Sequence, residues 1–215
     1  MSTSLADWRR IWHELGAPAA DEALREQLIA RWSEPHRHYH TLQHLRECLE
    51  NFDKVRSLAQ RPAEIELALW FHDAFYDPAR NDNEARSADW ARASVLQAGL
   101  PPDMAARVHA LVMATRHDAT PEDADAQLLV DVDLAILGAD ARRFDEYERQ
   151  VRAEYAHVTD DQFRQGRGRT LTTFVTRPRI YSTGHSHDAL EERARENLRR
   201  ALARLDGTMR IPPLQ

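Results

Sequence analysis

The residues of this chain whose types and spacing can do chemistry fall in two short stretches. The first is Arg37-His38-Tyr39-His40-Thr41-Leu42-Gln43-His44, and the second is Phe71-His72-Asp73. On a helix, His40 and His44 lie one turn apart, so their imidazoles stack on a single face at the spacing of paired metal ligands. His72-Asp73 adds a neutral nitrogen and a hard anionic oxygen from a second helix. That mixture suits Mn, Fe, Ni or Zn and, more weakly, Mg. Neither pair alone makes a site, because His40 and His44 read equally well as hydrogen-bonded histidines at a helix start. Two independent pairs favour a metal.

A further acid is expected later in the chain, where Asp131 and Asp133 compete for the role. On a helix, Asp133 has Leu129, Val130, Ile136 and Leu137 as its neighbours three and four positions away, all apolar, whereas Asp131 has Gln127 and Leu128 on one side. A charge on the more apolar face needs a partner such as a cation. Asp133 is therefore expected as the ligand and Asp131 as a surface residue. His117 closes a helix in Ala114-Thr115-Arg116-His117 and would bind a second metal or a substrate phosphate, or else be a C-terminal His favoured by the helix dipole. Asp77 and Glu84 would orient ligands or water from behind, although an Asp before Pro is ordinarily a turn residue and Glu84 an ordinary first-turn acid. Arg86 and Arg116 are the local cations for a phosphate. His36 and His38 are expected at the surface. Gly166-Arg167-Gly168-Arg169 lacks Walker spacing and reads as a packing irregularity that interrupts a helix. No Gly-x-Ser-x-Gly occurs, and Cys48 has no activating context beyond His44, so a Ser or Cys nucleophile finds no support.

These residues need helices to hold them, and helical periodicity runs through nearly the whole chain. Ser4 to Asp7 resembles a capping box before a first amphipathic helix ending at Gly16, and Ala20 to Trp32 repeats the pattern until Pro35 stops it. Arg37 to His40 reads as a loop. From Thr41 a long helix is predicted to about Gln60, and on it His40, His44 and Cys48 make a stripe beside the apolar face. Pro62 opens a helix that is apolar almost all round to Phe71, so it is buried, and His72-Asp73 sits at its end. Further helices are predicted from Asn81 or Asp82 to Gly99, from Pro101-Pro102 to about Thr115, from Pro121 to Leu137, from Asp140 to Val158, from a capping box at Thr159 towards Pro178, and from Asp188 to Leu205. Ile180 to Ser186 reads as a loop and Gly207 to Gln215 as a poorly ordered tail. No repeat and no β-alternation is found. The predicted class is all-α.

Composition narrows the partners. The net charge of -6 argues against a general nucleic-acid surface, although a small anionic substrate needs only local cations. Lys54 is the only lysine, a bias that reflects genomic base composition better than an arginine-rich binder. The single Cys48 excludes an intramolecular disulfide and suits a reducing cytosol. No apolar run approaches the roughly 20 residues of a membrane span, and the N-terminus lacks a signal-peptide pattern. A soluble, cytoplasmic protein is the expectation.

A His, a His-Asp dyad and a later Asp, all on helices, resemble the HD superfamily of metal-dependent phosphohydrolases. Tyr39-His40-Thr41 followed by His44 is similar to the Tyr-His-Asn-x-x-His element of the cyclic-nucleotide phosphodiesterases within it, whose first His is the general acid and second a metal ligand. The stretches Phe71 to Asp77, Asn83 to Ala88 and Asp131 to Gly138 are similar to a group of small bacterial predicted HD phosphohydrolases. The Leu134-Ala135-Ile136-Leu137 run after Asp133 also resembles the Asp-Leu-Ser segment that holds the family's last ligand. This likeness spans about residues 30 to 200. It implies a single HD-type helical bundle over 1–215, with a metal core at about 36–138 and C-terminal helices at about 140–206. Its divalent metal would be held by His44, His72, Asp73 and Asp133, with His40 and Asp73 as catalytic residues and His40 as the acid. The implied reaction is hydrolysis of a nucleotide or other small phosphate ester by metal-activated water. The partners would be that phosphorylated substrate and optionally a second copy of the chain in a homodimer, with no nucleic acid and no membrane. Two rivals stand beside it: a dinuclear-iron oxygenase, which some relatives are and for which a further ligand such as His117 would be the signature, and a non-catalytic, metal-stabilised nucleotide-binding module.

Overall fold

A computed structural model describes residues 3–207, so the tail expected beyond Gly207 lies outside the described residues. Among them the fold is all-α: ten α-helices, two short 3-10 segments and no strand. None of the helices is long and apolar enough to cross a membrane. The described residues form two compact units that divide between Asp133 and Leu134.

The first unit holds α1 (Leu5–Glu14), α2 (Glu22–Trp32), α3 (Leu42–Val55), α4 (Pro62–Phe71), α5 (Asn83–Gln97), α6 (Pro102–Ala114) and α7 (Ala124–Asp133). Its centre is α4. Every residue from Ala63 to Phe71 is buried, as an all-round apolar helix requires, and α4 packs against α1, α3, α5, α6 and α7. Trp8 of α1 makes edge contacts with Trp12 and with Trp70 of α4, ring centroids 5.6 and 5.0 Å apart. Burying each such side chain stabilises by roughly 1.5–3 kcal/mol. Two acids inside α4 are paired: Glu64 with Arg107, and Glu66 with Arg10 and Arg56.

Helix starts in this unit follow local caps. Ser4 accepts from the Asp7 N–H, Asp21 from Leu24 and Thr41 from Gln43. Helix α7 starts later than Pro121 because the Asp123 carboxylate accepts from the Ala126 N–H at 2.9 Å and sets the first turn there. Helix α3 stops at Val55 and tightens into a 3-10 turn at Arg56–Leu58.

The second unit runs through a 3-10 segment (Leu134–Gly138), α8 (Ala141–Glu154), α9 (Asp160–Val175) and α10 (Gly184–Leu205). Helix α10 packs on α8, α9 and the 3-10 segment. It begins at Gly184, inside the stretch expected to be a loop, because Thr183 caps it by accepting from the Ser186 N–H. Helix α9 runs unbroken through Gly166–Arg169, and a Cβ at either glycine would meet nothing within 4 Å, so no irregularity occurs there. Gly138 is different: a Cβ there would lie 2.7 Å from the Leu190 Cβ and 2.9 Å from its carbonyl. The close approach lets Arg193 donate to the Gly138 carbonyl and Asn197 to those of Leu137 and Ala139, each at 2.9 Å.

Candidate metal centre

Helix ends of the first unit bring the expected ligands together. Thr41 starts α3, so His44 falls in its first turn; α4 runs into His72 and Asp73 at its C-terminal end; α7 terminates on Asp133. The helices α3, α4 and α7 pack on one another, which places these residues around one point. The two Nε2 atoms of His44 and His72 are 3.1 Å apart. Asp133 Oδ1 lies 3.1 Å from the first and 3.5 Å from the second, and Asp73 Oδ2 lies 3.7 and 3.0 Å from the same two atoms. Donors bound at about 2.0–2.2 Å around one ion sit roughly 3–3.6 Å from each other. The observed spacings fit that geometry.

The hydrogen-bonding pattern shows why positive charge is needed there. His72 Nδ1 lies 2.8 Å from the Leu69 carbonyl, which only accepts, so Nδ1 carries the hydrogen. Whenever the ring is neutral, its Nε2 presents a lone pair to another imidazole nitrogen and two carboxylate oxygens. Acceptors facing acceptors need positive charge among them. With no metal ion, a proton meets that need: burial alone would lower the His72 value, but the Asp73 and Asp133 carboxylates outweigh it and hold it well above the usual imidazole range. Burial would likewise raise both aspartates. For Asp73 the nearby His72, His40 and His44 prevail, and for Asp133 the bonds from His117, His44 and His72 prevail, so both lie well below the ordinary carboxylate value.

Cys48 is the donor that spacing alone undervalued. His44, Cys48, His72 and Asp133 offer ligand atoms within 4.8 Å of one another, a group that can hold a metal ion. The signal was the His44/Cys48 part of the expected stripe, four residues apart on α3, whereas His40 precedes that helix behind the extended Thr41 cap and falls outside the stripe. The Cys48 sulfur lies 3.6 Å from His44 Nδ1 and 3.7 Å from Nε2. Being nearly equidistant, it sits beside the ring and not along the Nε2 lone pair. In the absence of a metal ion, burial, then Asp133, Asp73 and Glu47, push its thiol well above the ordinary value. Asp73 Oδ2, 3.0 Å from His72 Nε2 and 3.7 Å from His44 Nε2, offers a carboxylate beside the same group.

Around this cluster, Trp32 lies with its ring 5.3 Å from His72 and 6.2 Å from His44, its Nε1 donating to the Trp70 carbonyl. His40 stands outside, stacked on Tyr76 with ring centroids 3.9 Å apart, and 5.9 Å from the His44 ring. His117 follows α6 and points its Nε2 at Asp133 Oδ2, 3.0 Å away. It is a non-glycine residue at φ 57°, in the left-handed region. Such a conformation costs of order 1 kcal/mol and here aims a side chain, whereas a helix-dipole role would need only a helical one.

Other expected residues are elsewhere. Asp77 is exposed and forms a turn, accepting from the Ala79 N–H while its backbone exchanges bonds with the Asn83 side chain. Glu84 is half-buried in the first turn of α5, Arg86 lies over the Phe75 ring, and Arg116 pairs with Asp118. Asp131, expected at the surface, is instead fully buried, so an apolar neighbourhood did not separate it from Asp133. What separates them is direction, since Asp133 ends α7 facing His44 and His72. His36 and His38 are exposed as expected, with His36 donating to the Tyr76 carbonyl. Compared with known proteins, the chain matches no family model, no curated protein and no solved structure.

Proposed function

We propose that the chain is a metal-dependent phosphohydrolase acting on a nucleotide or other small phosphate ester. The observation that carries this reading is the convergence of two imidazole nitrogens and two carboxylate oxygens within 3.0–3.7 Å, with a further histidine just outside them. His44, His72, Asp73 and Asp133 would hold the ion, and this mixed nitrogen and oxygen set suits Mn, Fe, Ni, Zn or Mg. A divalent cation there supplies Lewis acidity to a phosphoester and lowers the pKa of water. Asp73 and Asp133 are ionised at neutral pH and supply the negative charge the ion requires. His72 is kept in one tautomer by Leu69. His117 orients Asp133 from its far oxygen, as outer partners of metal ligands do. His40, held against Tyr76 and outside the ligand set, gives its proton to the leaving oxygen. The resemblance to HD phosphohydrolases and the single buried cysteine both accord with an intracellular enzyme of this kind.

Elemental analysis of untagged protein, followed by a phosphate-release screen over nucleotides and phosphomonoesters with each of the five metals, tests the reading. Metal bound at one equivalent with phosphate released supports it. Metal bound with no ester cleaved overturns catalysis and leaves the non-catalytic nucleotide-binding module. One observation favours a second chemistry: His117 reaches Asp133 through a left-handed backbone, as an extra ligand of a dinuclear-iron oxygenase would. Two irons per chain, both lost in His117→Ala, would decide for that alternative.

A further inference from the structure

Arg37 lies in the loop between α2 and α3, where an arginine ordinarily faces water, yet its side chain is completely enclosed. Burying a guanidinium is costly unless its donors are matched. It has five N–H groups and no acceptor, and all five are used. Nε and Nη2 donate to Glu34 Oε2 at 3.1 and 3.0 Å. Nη1 donates to the carbonyls of Asp73 at 2.6 Å and His40 at 3.2 Å, and the second Nη2 hydrogen goes to the Ala74 carbonyl at 3.2 Å. Its planar group also lies near the rings of Trp32 and Tyr76, 5.7 and 5.6 Å from their centres.

We propose that Arg37 is a positioning residue for the metal centre, its guanidinium tying the backbone of His40, ahead of α3, to that of Asp73 and Ala74, after α4. The inference rests on the metal-centre reading above. Carbonyls at and beyond a helix C-terminus lack intrahelical partners, and those of Asp73 and Ala74 are matched here by a cation from a distant loop. His40 precedes His44 by four residues, just ahead of α3, and Asp73 adjoins His72. A displacement of either segment therefore moves donors that must stay within a few tenths of an ångström of their places. Lysine cannot substitute, because one ammonium cannot reach three carbonyls and a carboxylate lying around a planar fork.

The test compares wild type with Arg37→Lys and Arg37→Gln, and with Glu34→Gln as a stability control that removes the counter-charge but keeps the carbonyl bonds. The measurements are amide hydrogen exchange without metal, thermal melting, Co2+ affinity by chelator competition, and the visible absorption of bound Co2+. In the Arg37 variants, exchange should quicken together at residues 38–42 and 74–76, Co2+ affinity should fall about 10- to 100-fold, and the absorption bands should shift. Glu34→Gln should melt earlier yet keep Co2+ affinity within about threefold and the wild-type bands. Wild-type affinity and bands in both Arg37 variants overturn the proposal, as does an equal loss in Glu34→Gln, which would make the role merely structural. Either Arg37 variant suffices if the other does not fold. A wild-type chain that takes up no Co2+ overturns the metal centre itself, whereas exchange that stays slow in the variants overturns the clamp alone.

Discussion

His40 precedes α3 whereas His44 lies in its first turn, so they meet different neighbours and their substitutions should separate accordingly. His44→Ala removes a nitrogen facing His72, Asp73 and Asp133, so elemental analysis should find the site empty and activity gone. His40→Ala should retain metal and lose roughly 10²- to 10⁴-fold in rate, the usual contribution of a general acid. A nitrophenyl ester, whose leaving group needs no proton, should be much less affected. Equal metal loss in both variants, or equal slowing of activated and unactivated esters, would sink the acid role. The choice between Asp73 and Cys48 is similarly decidable: Cys48→Ala should keep metal stoichiometry and Asp73→Ala should lose it, with the reverse pattern reassigning the fourth donor. The residues that converge at the candidate site were legible because helical spacing and a buried helix end are local properties. Arg37 was not, since a loop arginine looks the same in sequence whether it faces water or three carbonyls, two of them from a distant segment. The burial of Asp131 escaped for a related reason: neighbours along one helix say nothing of what other helices lay over it.

Helix α4 places two glutamates in the interior, and their energetics differ from what a count of ion pairs implies. Burial dominates at Glu66 and leaves its value raised, although Arg10 and Arg56 pull the other way. A carboxyl with a folded value above its unfolded one contributes stability that is present below about pH 4.3 and is lost as pH rises through the folded value. Glu66→Gln should therefore hold or raise the melting temperature at pH 8 and help less at pH 4, in keeping with buried ion pairs that barely repay desolvation. A lower melting temperature at pH 8 would show that the two arginines more than compensate. In the second unit, Gly138→Ala forces a methyl group against Leu190 and should cost about 1–3 kcal/mol, read as a lower denaturation midpoint. Helical periodicity made these elements visible in sequence; their starts at Ala124 and Gly184 were fixed by the Asp123 and Thr183 side chains, a finer signal than Pro121 or the Gly-Ser-His composition around 184–187.

At the scale of the whole molecule, an ion that binds the folded state alone must stabilise it. Metal at about 100 times its dissociation constant adds about 2.7 kcal/mol, which should raise melting by roughly 5–10 °C for a chain of this size and be reversed by a chelator. No shift with any of the five metals in wild type would remove the basis for the site. The distribution of indoles gives that experiment a built-in optical channel. Trp8, Trp12, Trp32, Trp70 and Trp90 all precede Asp133, and the chain from Leu134 onward has none. Light absorbed at the red edge of the ultraviolet band therefore excites only the unit that carries the donors. Four of these indoles are enclosed, so their emission should lie to the blue, and Trp32, 5.3 Å from His72, is close enough for Co2+ or Ni2+ to quench. The tyrosines are divided between the units, Tyr39 and Tyr76 in the first and Tyr147, Tyr155 and Tyr181 in the second. Loading of the centre, read as quenching, and unfolding of the first unit, read as a red shift, thus become two separable changes in the light of one unlabelled protein.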